Sequence, residues 1–175
     1  MIATKPKDGL LRRFDGLSVI REWPPPVWSN GFILWPRIER VEDVEAQRDT
    51  VRRCLEDVYR QGGWALYLDE ARYVTGFLGL SKLVELLWIQ GRSLGVSVVA
   101  AAQRPRHLPL AAYSQASHLF VWPTRDRQDL RRLQEMAGGP SLSEIEAAMS
   151  GLPEHACLYL GRGGKMMATL VEDGG

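Results

Sequence analysis

The sequence predicts an α/β fold: a mostly parallel β-sheet with helices on both faces and a β-hairpin at the C-terminal end. Three apolar runs, WALYL at 64–68, VSVVAAA at 96–102 and HLFVW at 118–122, are typical of strands covered on both faces. Helical patterns separate these runs, and strands that alternate with helices usually pair in parallel. The stretch 156–171 reads as two strands around a glycine-rich turn. At 175 residues, we expect one domain over 1–175.

The elements before these runs are shorter. The chain begins with MIATKPKD, which reads as a strand end followed by a turn, and GLLRRF predicts a short helical turn. LSVIREW and GFILWP predict strands that proline stops, joined by the loop WPPPVWSNG. From Val41 to Val58, apolar residues recur on one helix face, and Gly62 and Gly63 end this helix.

Two further helices are predicted between and after the apolar runs. LSKLVELLWIQGRSLG has helical character and ends at Gly95, directly before the second run. RDRQDLRRLQEMAGG follows the third run and ends in a glycine pair. The resulting order of helix, strand, helix and strand is the basis of the parallel-sheet prediction.

Composition and charge exclude some classes of function. The formal net charge is +1, which gives no overall attraction to nucleic acid or membrane. Cys54 and Cys157 show no metal-ligand spacing, and neither do the three histidines, so we interpret the cysteines as buried side chains in a reducing compartment. No apolar run approaches the roughly 20 residues of a membrane span, and no signal-peptide pattern follows Met1. We expect a cytoplasmic chain without a membrane segment.

Polar side chains follow two of the predicted strands. Asp69 and Glu70 end the first apolar run, and Gln103 ends the second. Ligands of open α/β sheets bind beyond the carboxyl ends of the strands, so these residues mark a candidate site. An apolar strand that ends in Asp-Glu is the Walker B pattern, in which the first acid holds Mg²⁺ and the second activates water. The alternatives are that Asp69 caps the next helix and that Gln103 closes a turn before Pro105.

The combination of motifs is more specific than any one of them. WALYLDEARYV, IQGRSLGVSVVAAAQRPRHLP and ASHLFVWPTRDRQDLRRL together resemble the core of the FtsK–HerA superfamily of P-loop ATPases, over roughly residues 50–140. That superfamily includes ring-forming DNA translocases, conjugative coupling ATPases and phage packaging or assembly ATPases. The resemblance implies a RecA-like core, ATP and Mg²⁺ as ligands, a homo-oligomeric ring and DNA as a possible partner.

The resemblance also implies roles for individual residues. Asp69 corresponds to the metal-associated acid, Glu70 to the catalytic acid, and Gln103 to the polar residue that ends the sensor strand. Arg92 matches a basic position that could act as an arginine finger on a neighbouring subunit. The alternative for Arg92 is a solvated side chain near a helix C-terminus. TKPKD resembles the end of the second strand of these ATPases, and Thr4 stands where an acid is common, which leaves the roles of the lysines at 5 and 7 open.

The phosphate-binding loop of these ATPases is missing from the sequence. No segment has the form Gly-x4-Gly-Lys-Ser/Thr, and the one lookalike, LGRGGKMM, has Met166 after Lys165 and leads into a strand. If MIATKPKD is the second strand, the first strand, the loop and the first helix would lie upstream of Met1. We therefore expect an N-terminally incomplete ATPase core that hydrolyses ATP negligibly by itself.

Two other functions compete with the ATPase reading. A degenerate ATPase fold could serve as an interaction module that binds protein or nucleic acid through the arginine-rich segment containing Arg125, Arg127, Arg131 and Arg132. The simpler interpretation of those arginines is a solvated helix face. An unrelated doubly wound enzyme would need its own nucleophile or cofactor motif, and the sequence shows none.

Overall fold

The computed structural model describes residues 1–5, 14–27, 29–135 and 139–170. The chain divides into two compact units, Met1–Gln103 and Arg104–Gly175. Most of the predicted helical turn GLLRRF, and the lysine at position 7, lie outside the described residues. The strands are β1 (Ser18–Ile20), β2 (Phe32–Leu34), β3 (Ala65–Leu68), β4 (Ser97–Ala100), β5 (His118–Val121), β6 (Ala156–Gly161) and β7 (Lys165–Leu170). The α-helices are α1 (Asp43–Gln61), α2 (Ser81–Gln90), α3 (Leu110–Gln115), α4 (Arg127–Gln134) and α5 (Leu142–Ser150).

The first unit contains a parallel sheet. β1 pairs in parallel with β2, and β3 pairs in parallel with β4. Ile2 forms parallel bridges to both Leu34 of β2 and Leu68 of β3. The start of the chain therefore lies between β2 and β3, and the order across the sheet is β1, β2, Ile2, β3, β4. This arrangement confirms the predicted parallel pairing in this part of the chain.

Apolar packing holds the sheet of the first unit together. Ala3, Ile33 and Trp35 form a buried cluster, against which Met1 and Leu17 pack. The buried face of α1 has the spacing of three and four residues that the sequence predicts. Val41 was expected on this face, but it precedes the helix and is 83% exposed. The buried residues of α1 are Gln47, Thr50, Val51, Cys54, Leu55 and Val58.

The strands of the first two apolar runs are less covered than expected. In β3, Leu66 and Leu68 are buried, whereas Ala65 is exposed and Tyr67 is half-buried. Val99 of β4 is 57% exposed. Within the described residues β4 pairs only with β3, so it is an edge strand, and the face that carries Ser97 and Val99 is exposed. The expectation of burial on both faces is therefore wrong for this pair.

The second unit contains an antiparallel sheet. β6 pairs with β7 around the turn 162–164, where Gly163 and Gly164 adopt φ of +78° and +80°, so the predicted C-terminal hairpin is confirmed. β5 was expected to belong to a parallel sheet, but it pairs antiparallel with β6. β5 pairs in this way because the apolar strand β6, which buries Leu158 and Leu160, forms backbone pairs with all four residues of β5, from His118–Gly161 to Val121–Leu158. An apolar run indicates a strand but does not identify its partner.

Two helices of the second unit were not expected from the apolar periodicity. They are α3 and α5, and α5 begins with a capping box in which Ser141 and Glu144 satisfy each other's backbone N–H groups. α4 was expected, and its N-cap is Asp126, which accepts hydrogen bonds from the backbone of Gln128 and Asp129. Among the described residues, no helix is both long and apolar enough to cross a membrane.

Candidate functional site

The backbone holds Asp69 and Glu70 at the carboxyl edge of the parallel sheet. The Asp69 N–H donates to the carbonyl of Ile2 at 3.2 Å, directly after β3 ends. Ala71 then donates to the carbonyl of Ala101 at 2.8 Å, beyond the end of β4. The turn that carries both acids is thus bonded to the strand on either side of β3, and its position does not depend on the acid side chains.

The carboxylate of Asp69 is mostly buried and incompletely satisfied. Its side chain is 11% exposed, and its Oδ1 lies 3.8 Å from the Nζ atom of Lys5. Its Oδ2 is buried and has no hydrogen-bond partner among the described residues. Among the described residues no backbone N–H donates to the Asp69 carboxylate, and the N-cap of the helical turn 73–77 is Arg72, so the structure does not show Asp69 as a helix cap. A buried carboxylate oxygen without a hydrogen-bond partner lowers the stability of the fold. Such an unpaired oxygen is typical of a position that receives a ligand.

The charge of Asp69 also shifts the pKa of the neighbouring Tyr67. Burial raises the pKa of Tyr67, and the negative charge of Asp69 raises that pKa further. The positive charge of Lys5 acts on the same pKa in the opposite direction. Tyr67, Asp69 and Lys5 therefore form one electrostatic neighbourhood at the edge of the sheet.

Glu70 is half-buried and begins an irregular helical segment. Its carbonyl accepts the N–H groups of Tyr73 and Val74, and residues 73–77 form a π-helical turn. The Tyr73 hydroxyl donates to the Oε1 atom of the buried Gln47 on α1 at 2.8 Å, which fastens this segment to the first helix. Short π-helical turns frequently accompany functional sites. In the described part of the chain the Glu70 carboxylate has no hydrogen bond or ion pair, so it remains available to a ligand or water.

Gln103 lies at the same edge of the sheet as the two acids. β3 and β4 are parallel and in register from Ala65–Ser97 to Leu68–Ala100, so their carboxyl ends are adjacent. Asp69 follows the end of β3 by one residue, and Gln103 follows the end of β4 by three. Gln103 is exposed. The structure thus places a mostly buried acid, a second acid and an exposed amide at the edge that the strand pattern predicts, and their functional roles stay predictions.

Arg92 lies at the opposite end of these strands. It is an exposed residue of the 3₁₀ turn Gly91–Leu94, which precedes β4, and the backbone N–H of Val96 donates to Gly91 there. The four residues of β4 separate this turn from the Asp69 edge by about 13 Å. Arg92 is therefore not brought together with the acids of its own chain, and its action on a neighbouring subunit stays a prediction.

A second polar cluster lies in the second unit and was not predicted. Asp129 of α4 is 2% exposed, and its carboxylate accepts hydrogen bonds from the Arg104 side chain at 3.0 Å and the Arg106 backbone at 3.1 Å. Arg104 also forms a close ion pair with Asp126. This cluster fastens the segment that follows β4 in the chain to α4. The sequence signal was an acid at the N-cap of a helix, Asp126, and a second acid in its first turn, Asp129, together with the two arginines of the preceding segment QRPR.

Mg²⁺ fits the donors at Asp69. The described residues contain no group of three or more side chains that could hold a metal ion. Mg²⁺ keeps several waters and commonly takes one or two carboxylates together with the phosphates of a nucleotide, so a single acid with an unsatisfied oxygen is a suitable partner.

Comparison with known proteins identifies the fold. The chain matches no family model and no curated protein sequence. It matches the genome packaging NTPase B204 from Sulfolobus turreted icosahedral virus 2 in complex with AMPPCP, with a TM-score of 0.58 and 17% identity over 84% of this chain and 70% of that chain. The sulfate complex of B204 matches with a TM-score of 0.60 and 14% identity over the same shares of the two chains. The fold of this chain is therefore similar to that of a viral genome packaging NTPase of the FtsK–HerA type.

VirB4 of Thermoanaerobacter pseudethanolicus has the same type of fold. It matches with a TM-score of 0.58 and 14% identity over 85% of this chain, but over only 43% of the VirB4 chain. The FtsK–HerA-type resemblance predicted from the sequence is therefore confirmed for the fold. B204 has also been solved in complex with ATP-gammaS, and its fold matches this chain with a TM-score of 0.57.

Proposed function

We propose that this chain is an ATP-binding motor domain of a DNA-translocating or phage assembly and packaging protein, acting as one domain over 1–175. The observation that carries the proposal is the state of Asp69. Its carboxylate sits at the carboxyl edge of a parallel sheet, mostly buried, with one oxygen that has no partner among the described residues. The FtsK–HerA-type fold supports the same assignment.

The residues at this edge have distinct roles in the proposed reaction. Asp69 would hold the Mg²⁺ of the nucleotide, which would offset the negative charge of the phosphates. Glu70 accepts a proton from the attacking water, because its carboxylate is half-buried and unengaged in the described part of the chain. Gln103 orients the water or contacts the terminal phosphate with its amide. Arg92 reaches the nucleotide of a neighbouring subunit in a ring, since it lies at the other end of the strands.

The 175 residues lack the loop that would bind the phosphates. Without Gly-x4-Gly-Lys-Ser/Thr, the backbone N–H groups, the lysine and the hydroxyl that hold the phosphates and Mg²⁺ are absent from this sequence. We therefore expect the acids to bind a divalent cation weakly and the chain alone to release phosphate from ATP negligibly.

Measuring phosphate release from ATP tests directly whether the chain alone hydrolyses ATP. The purified chain is incubated with ATP and Mg²⁺ beside the variant Glu70→Gln, which is nearly isosteric and removes the base. We expect both proteins to release phosphate at the rate of buffer alone. Mg²⁺-dependent turnover that the variant abolishes would contradict the expected inactivity, because catalysis would then proceed without the loop.

A non-catalytic interaction module remains a second candidate, and one observation favours it. Arg125, Arg127 and Arg131 are exposed on and before α4, whereas Arg132 is paired with Glu135. If the three exposed arginines contact a phosphate backbone, DNA affinity should fall steeply with salt. Fluorescence anisotropy of labelled DNA with Arg127→Ala/Arg131→Ala, and with Arg48→Ala/Arg53→Ala on α1 as the matched control, tests this surface. Equal affinities of the two double variants for DNA would show that the α4 arginines are not a specific DNA-binding surface.

A further inference from the structure

Lys5 is held beside Asp69 by the backbone of residues 1–5, which runs between β2 and β3. Ile2 donates to the carbonyl of Tyr67 at 2.8 Å, and Ala3 donates to the carbonyl of Leu34 at 2.9 Å. Two residues further on, the carbonyl of Lys5 accepts a hydrogen bond of 2.7 Å from the indole of the buried Trp35. The register of the sheet therefore delivers Lys5 to the carboxyl edge, next to the turn that carries Asp69.

The two side chains of this pair differ greatly in exposure. The Nζ atom of Lys5 lies 3.8 Å from Oδ1 of Asp69, and the lysine side chain is 56% exposed whereas the aspartate is 11% exposed. Within the described residues, Lys5 is the cation that pairs with this carboxylate. The lysine ammonium is a compact charge on a flexible stem, so it can leave the aspartate without any change in the backbone.

We propose that Lys5 is a built-in counter-cation of Asp69 that a divalent cation must displace. The inference rests on the proposed function, since it takes Asp69 as the metal-associated acid. An ammonium 3.8 Å from Oδ1 repels a second cation that approaches the same carboxylate. In the metal-free protein, Lys5 partly offsets the charge of an acid that is otherwise incompletely satisfied. When the metal binds, the exposed lysine moves away toward solvent or toward an anionic ligand.

The first test measures the affinity for Mn²⁺ alone, by electron paramagnetic resonance of the free ion. Lys5→Met removes the charge and keeps most of the stem, and Lys82→Met removes an exposed charge on α2 as the matched control. A partly exposed ion pair corresponds to about a two- to fivefold change in an equilibrium constant. We expect Lys5→Met to bind Mn²⁺ about two- to fivefold more tightly than the wild type, and Lys82→Met and Lys5→Arg to bind like the wild type.

The variant Asp69→Asn separates this inference from the proposed function. If Asp69→Asn binds Mn²⁺ as well as the wild type, the metal role of Asp69 is wrong, and both proposals fail. If Asp69→Asn loses the site but Lys5→Met is unchanged, the metal site stands and the counter-cation role of Lys5 is overturned. Absence of Mn²⁺ binding in all variants, Lys5→Met included, would also overturn that role, because the ion would then be excluded by something other than Lys5.

A second test needs no metal. The unfolding equilibrium in EDTA is compared for Lys5→Met, Asp69→Asn and the double variant. If the lysine offsets the aspartate charge, Lys5→Met shifts the equilibrium toward unfolding by about two- to fivefold in the wild-type background and by much less beside Asp69→Asn. Equal shifts in the two backgrounds would show that the side chains are uncoupled and would refute the counter-cation role.

Discussion

Asp69→Ala should stabilise the first unit in the absence of metal, although it removes the residue on which the proposed function depends most. The wild-type carboxylate holds a buried Oδ2 atom without a partner among the described residues. Leaving such an atom unsatisfied costs about 1–3 kcal/mol. The partly exposed Lys5 contact at 3.8 Å contributes at most about 1 kcal/mol in return.

The main-chain contacts of Asp69 survive the substitution. The hydrogen bond from its N–H to Ile2 and that from Ala71 to Ala101 involve backbone atoms only. Alanine therefore removes the unsatisfied atom without removing the turn. The difference between the two side-chain effects predicts an increase of about 1 kcal/mol in the free energy of unfolding.

Urea unfolding followed by tryptophan fluorescence measures this change, because five of the six tryptophans lie in residues 1–103. With a typical slope, the midpoint should rise by about 0.5 M in buffer with EDTA. The matched control is Asp57→Ala in the same unit, where the carboxylate is 18% exposed but accepts a hydrogen bond of 2.9 Å from the indole of Trp23. That variant should be less stable than the wild type. A midpoint for Asp69→Ala at or below the wild-type value would refute the reasoning, since Oδ2 would then be satisfied in solution.

Three further predictions concern stability and reactivity. Asp129→Ala should lower the free energy of unfolding of the second unit by about 2 kcal/mol, because it removes a buried carboxylate that accepts the Arg106 N–H. As a control, Glu135→Gln in an exposed ion pair should change this free energy by less than about 1 kcal/mol. Chemical denaturation of each variant measures both changes. The pKa of Asp126 lies below its ordinary value of 3.8, mainly because Arg104 donates a hydrogen bond to it. Its stabilising contribution is therefore present above pH 3.8 and is lost as the pH falls through the folded-state pKa. In a pH series, the free energy of unfolding of Asp126→Asn should fall less on acidification than that of the wild type. Burial raises the pKa of Cys54 to about 12, so a thiol reagent at pH 8 should label it only after unfolding, and labelling of the native protein at the unfolded rate would contradict this burial.

The edge on which the candidate site lies could be predicted from the sequence because it depends on local pattern. The apolar run before Asp69 indicates a strand, and the helix and second run before Gln103 indicate a parallel neighbour. Parallel neighbours end at the same edge, which is how the structure places these two residues. The opposite position of Arg92 follows from the same reasoning, since its turn precedes β4.

The contacts that complete the site could not be predicted in this way. Lys5 meets Asp69 only because Ile2 bridges two strands that are distant in sequence, and no local pattern encodes that register. The antiparallel pairing of β5 with β6 depends in the same way on a partner some 40 residues away, as the register His118–Gly161 shows. The buried Asp129 was missed because an acid in the first turn of a helix is ordinarily explained by the helix dipole, without a buried partner.

The order of the sheet divides the proposed functional residues into two kinds. β3, which precedes Asp69, lies between the segment that leads to Lys5 and β4, which leads to Gln103, so the roles proposed for Lys5 and Gln103 concern a ligand of the same chain. Arg92 lies beyond the other end of the same strands and cannot reach that ligand without a second copy. Substitutions of Lys5 or Gln103 should therefore change metal or nucleotide binding by isolated chains, whereas Arg92→Ala should change only properties of an assembly. Titration of Mn²⁺ at protein concentrations too low for the chains to assemble distinguishes residues that act within one chain from residues that act between chains. An effect of Arg92→Ala on the isolated chain would mean that this arginine acts within its own subunit.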